Sequence, residues 1–105
     1  VVGNMEMKEI QDVFYIGCEL ETGDIYYFTL TYDKGELVEK WIDNYYDAIP
    51  FPSCEVANDV LVKVEQFYQN IEFDGIPNVE TVHMKIRSYF IKKVKHRFND
   101  SITTI

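Results

Sequence analysis

The chain lacks most of the signatures that would announce a chemistry. Its five glycines, Gly3, Gly17, Gly23, Gly35 and Gly75, stand apart from one another. Neither the dinucleotide fingerprint nor the phosphate-cradling P-loop can be built from isolated glycines. Only two cysteines occur, Cys18 and Cys54, too few for a disulfide framework. The unbroken apolar stretches, such as Val13–Ile16, are far too short to cross a bilayer. The start carries no basic region followed by an apolar run, so no export signal is expected. The expectation is a cytoplasmic protein with two reduced thiols.

Candidate catalytic and metal ligands are equally sparse. His83 and His96 are far apart, and the cysteines lie in other segments. Glu80 and His83 have the i,i+3 spacing of di-iron helical bundles, but those sites need a second such pair. Cys54 beside His83 would suit nucleophilic catalysis, although nothing local signals it. Carboxylates abound, so any pair of them is uninformative. No catalytic residue, metal or cofactor is assigned, and the chain is not expected to be an enzyme.

What is present is apolar bulk and negative charge. Of 105 residues, 47% are hydrophobic, including 8 Tyr, 7 Phe and 1 Trp. That is too much apolar surface for a disordered chain and enough for one domain with one core. The formal net charge is −8, unevenly spread. Residues 1–80 hold 17 acidic and 4 basic side chains, and residues 81–105 hold 1 and 6. An acidic body repels nucleic acid and steers basic protein surfaces toward itself.

Patterning predicts a small antiparallel β-meander. Val13–Leu20 and Ile25–Tyr32 are rich in aromatic and β-branched residues and flank the turn Glu21-Thr22-Gly23-Asp24. Along the second strand, Tyr26, Phe28, Leu30 and Tyr32 form the more continuous apolar face. Asp33-Lys34-Gly35 predicts another tight turn and a third strand over 36–43, giving way to irregular chain near Tyr45. Helical periodicity competes there, because Leu37, Val38, Trp41, Ile42, Tyr45 and Ile49 also share a helical face.

Two helices are expected to follow. Ser53 can cap one over Ser53–Ile71, with Val56, Val60, Leu61, Val64, Phe67, Tyr68 and Ile71 as its apolar stripe. Asn78–Phe98 reads as the second, with stripe residues Val79, Val82, Ile86, Tyr89, Phe90 and Val94. Its last turns carry Lys92, Lys93, Lys95, His96 and Arg97, as suits a helix C-terminus. The expected fold is a two-layer α+β domain, with a meander of two to three strands packed on two C-terminal helices.

Two surfaces stand out. Over residues 24–47, Tyr26, Tyr27, Tyr32, Trp41, Tyr45 and Tyr46 are mixed with acidic residues. The partner-binding set drawn from it is Asp24, Tyr26, Asp33, Glu36, Glu39, Trp41, Asp43, Tyr45, Tyr46 and Asp47. Tyr and Trp anchor protein interfaces, and carboxylates around them suit a partner built to bind phosphate. The same pattern also suits aromatics that fill a core, with the acids as their solvent-facing neighbours. The second surface is a basic helix face of Lys85, Lys92 and His96, flanked by Lys93 and Lys95. It could contact phosphates, or be a solvated face whose cations meet the acidic body of the same or a second molecule. The leading expectation is a small acidic inhibitor or immunity-type protein that blocks a basic nuclease or toxin. The alternatives are a self-associating module, as a homodimer for instance, and direct nucleic-acid binding.

Overall fold

The computed structural model describes residues 8–67, 71–74 and 85–99. Five strands form one sheet: β1 (Lys8–Leu20), β2 (Ile25–Asp33), β3 (Glu36–Ile42), β4 (Glu72–Phe73) and β5 (Ile86–Asn99). The order across the sheet is β4-β3-β2-β1-β5. All pairings are antiparallel except β3 with β4. One helix, α1 (Cys54–Phe67), connects β3 to that parallel strand. The expected α+β layering on two helices is therefore corrected to a mainly β protein with a five-stranded mixed sheet and one described helix.

The turn chemistry reads through. Gly23 closes the β1–β2 turn at φ 96°, and Thr22 Oγ1 donates to Asp24 Oδ2 at 2.8 Å. Lys34 and Gly35 both have positive φ, 54° and 82°, as a two-residue hairpin with the sheet's own twist requires. That tight return pairs Asp33 with Glu36 and carries residues 36–42 back along β2 as a strand. The chain then breaks into a 3-10 turn at Tyr45–Asp47, where Asn44 Oδ1 accepts from the Tyr46 N–H at 2.8 Å. Ser53 caps α1, its Oγ accepting from the Val56 N–H at 3.1 Å.

The second expected helix is where the reading fails. Residues 86–98 of it belong to a strand, and residues 75–84 lie outside the described part. Tyr89 and Ile91 pack against the helix-side core, whereas Val94 packs on the other face of the sheet. Apolar residues on both faces hide the two-residue alternation and leave a pattern that helical spacing also fits. What decides is β1, a 13-residue strand that pairs with β5 from Lys8↔Asn99 to Leu20↔Ile86.

The sheet is covered on both sides. On one face Ile16, Cys18, Leu20, Phe28 and Trp41 pack with Ala57, Leu61 and Val64 of α1 and with Phe73. Val56, expected in the apolar stripe of the helix, is 41% exposed, and Ala57 takes the buried place. On the other face Val13 and Tyr15 pack with Ala48, Tyr27, Ile42, Tyr45 and Val94. Phe51, flanked by two prolines that lack N–H groups, bridges to Phe14 in both directions at 2.9 and 2.7 Å.

β2 leaves β1 early, its pairs running only from Gly17↔Tyr27 to Glu19↔Ile25. Residues Lys8–Val13 and Val94–Asn99 thus continue as a two-stranded ribbon among the described residues. The Cα radius of gyration is 16.6 Å, against about 13 Å for a compact domain of this length.

Candidate protein-binding site

Successive residues of a strand face opposite ways, and this splits the aromatic-acidic segment. Tyr26 and Trp41 go to the helix side. Trp41 is 2% exposed and lies between Phe28 and Phe73, with centroids at 6.0 and 6.2 Å. Tyr26 packs edge-on against Phe73 at 5.0 Å. Trp41 is thereby withdrawn from the surface, whereas Tyr26 is only half-buried.

Asp43, Tyr45 and Tyr46 gather on the opposite face. With Ile25, Tyr27 and Asn44 they line an open hollow of about 500 Å3. Tyr45 is its hub. Its ring lies 4.2 Å from Tyr46, 5.4 Å from Tyr15 and 5.7 Å from Tyr27, centroid to centroid. Lys92 Nζ sits 5.1 Å from the same ring, within cation–π range. Behind it the buried Tyr15 hydroxyl is hydrogen-bonded to His96 Nε2 at 3.1 Å. Tyr46 is 74% exposed and Ile25 38%. A hydrogen bond with Tyr46 raises the Tyr45 pKa above its ordinary value, and burial raises those of Tyr15 and Tyr27. These phenols are therefore neutral near pH 7, and Asp43 supplies the carboxylate at the rim.

The other members of the expected set are dispersed. Asp24 is exposed beside Ile25 in the β1–β2 turn. Asp47 lines a neighbouring hollow of about 250 Å3 with Thr29, Thr31, Lys40 and Asp74. Lys40 Nζ there is 3.9 Å from Asp74 Oδ1. Asp33, Glu36 and Glu39 lie toward the β2–β3 tip, around the exposed pair Tyr32 and Leu37. Ile25, Tyr27 and Asn44 were not in the expected set. The strand alternation already put Ile25 and Tyr27 on one face. Only the fold brings Asn44 to them.

The basic surface does not exist as expected. On a strand, Lys92 and His96 share one face, while Lys93 and Lys95 take the other. The latter two both reach Asp12, at 3.4 and 3.2 Å. Lys85 is exposed just before β5, and Arg87 pairs with Glu19 at 3.1 Å. Cys54 is exposed and Cys18 buried, and His83 lies outside the described residues. Among the described residues, no group of three or more His, Cys, Asp or Glu could hold a metal ion. No described helix is long and apolar enough to cross a membrane. No family model, curated protein or solved structure matches this chain.

Proposed function

We propose that this is a small acidic protein-binding inhibitor or immunity-type protein that docks on a basic, nucleic-acid-handling partner such as a nuclease or toxin. One observation carries the reading: Tyr46 is largely exposed and lies at a tilt against Tyr45 in an open hollow that Asp43 also lines. An aromatic floor held by neighbouring rings binds at little entropy cost, and a carboxylate beside it favours a cationic side chain. The formal charge of −8 supports a basic partner, because complementary fields speed encounter. The acidic tip with Tyr32 and Leu37 would add a second, peripheral contact.

Affinity capture from a native lysate, followed by mass spectrometry, tests this reading. The expected product is a partner with a basic surface. Tyr46→Ala should weaken its binding by about 2 kcal/mol or more, as loss of an interface anchor does. Tyr32→Ala should matter much less. Failure to recover any basic partner, or a partner indifferent to Tyr46→Ala, would remove the reading.

A further inference from the structure

The two edges of the β1–β5 ribbon differ in chemistry. Among the described residues, nothing pairs with the outer edge of β5 or with the inner edge of Lys8–Val13. β5 carries five basic residues and no acidic one. Such a strand repels a second copy of itself, the usual protection of an exposed edge. The charges on the edge of β1, Lys8, Glu9 and Asp12, are of mixed sign and do not repel a second copy in this way, and Ile10 in its middle is 62% exposed.

The backbone phase of that edge is fixed by the bridge to Phe51. The N–H and C=O of Phe14 both point away from β5, at 2.9 and 2.7 Å from their partners. Strand alternation then turns the N–H and C=O groups of residues 8, 10 and 12 the same way, into the open edge.

We propose that this edge pairs with the same edge of a second copy of the chain, antiparallel about a two-fold axis at Ile10. The sheet then runs continuously through two molecules. Ile10 stands opposite Ile10, and on either side a lysine at position 8 stands opposite an aspartate at position 12. Positions 8, 10 and 12 each exchange both backbone hydrogen bonds with their opposites, and the contact is isologous and closed. Registers of the same phase lie two residues away on either side, and one of them moves the pairing toward Phe14. It sets Ile10 against Asp12 and brings Lys8 to Phe14, whose backbone groups Phe51 already holds. A two-stranded ribbon is marginal alone, and the pairing makes it four-stranded.

So short a contact belongs to the weak end of interface sizes, so the test is sedimentation of the full chain from about 10 μM to about 1 mM. A reversible monomer–dimer equilibrium is expected. Ile10→Pro removes an N–H that β5 does not use, and Ile10→Lys sets two cations together. Each should raise the dimer dissociation constant at least tenfold with an unchanged far-UV spectrum. In a Cys54→Ser background, mild oxidation should cross-link Ile10→Cys but not Gln11→Cys, which has no identical position opposite. A monomer up to 1 mM would overturn the proposal. So would a dimer that survives both Ile10 variants, or cross-linking at Gln11→Cys as readily as at Ile10→Cys. None of these readouts depends on the tyrosine hollow.

Discussion

Gly17 is where a single missing side chain shapes the sheet. A Cβ there would lie 2.3 Å from Phe90 Cζ and within 3 Å of both Cε atoms. The ring of Phe90, on the neighbouring strand, occupies that space and meets Tyr27 edge-on at 5.9 Å. Gly17→Ala should therefore cost about 1–3 kcal/mol, as overpacking does. Calorimetry should show a lower Tm, and adding Phe90→Ala should make the pair less than additive. The two cysteines differ as sharply. Burial pushes the Cys18 thiol up to about 12, a backbone hydrogen bond with Tyr26 offsetting part of the rise. At pH 8 only about one Cys18 in ten thousand is then a thiolate, the reactive form. A disulfide reagent should titrate one thiol, Cys54, in the native protein and two in denaturant. Two fast native thiols would contradict the buried placement.

At the scale of elements, the ribbon of Lys8–Val13 and Val94–Asn99 is held across its strands by Asp12. A hydrogen bond from Lys95 lowers the Asp12 pKa below its ordinary 3.8; burial offsets part of this, and the charges of Lys93 and Lys95 add to the lowering. A carboxylate whose folded-state pKa is depressed contributes its stability above the unfolded-state value. That contribution is lost as pH falls through the folded-state value. Asp12→Asn should thus speed amide exchange in the ribbon at pH 6. Wild type and variant should converge once the pH falls below the folded-state value. Exposure makes the effect small and salt-sensitive. The β1–β2 and β2–β3 turns and the Ser53 cap were legible because each depends on residues within a few positions. The β5 strand was not, because its partner β1 lies more than sixty residues away in sequence and outweighs the local helical spacing.

At the scale of the whole molecule, charge is the organising quantity. β5 contributes five of the ten basic residues, and no acidic residue lies within it. The remainder of the chain is correspondingly negative, with Asp43 and Asp47 on one region of the surface and Asp33, Glu36 and Glu39 at another. A partner attracted by this field should associate more slowly as salt rises, by tenfold or more between about 50 and 500 mM, because exposed charges are screened. Stopped-flow measurement with the captured partner checks this. An association rate independent of salt would leave the charge with no part in recognition.

The amino-acid sequence by itself determined the apolar content, the negative charge with its basic C-terminal stretch, and the positions of the tight turns. Each of these follows from composition or from residues adjacent in the chain. The tertiary structure alone decided that residues 86–99 pair with β1, that Trp41 is spent on the core, and that Tyr45 and Tyr46 meet Ile25 and Tyr27. The reason is the geometry of a sheet. Pairing between distant segments selects the extended backbone, and the two-residue alternation it imposes then assigns each aromatic ring to the core or to the surface.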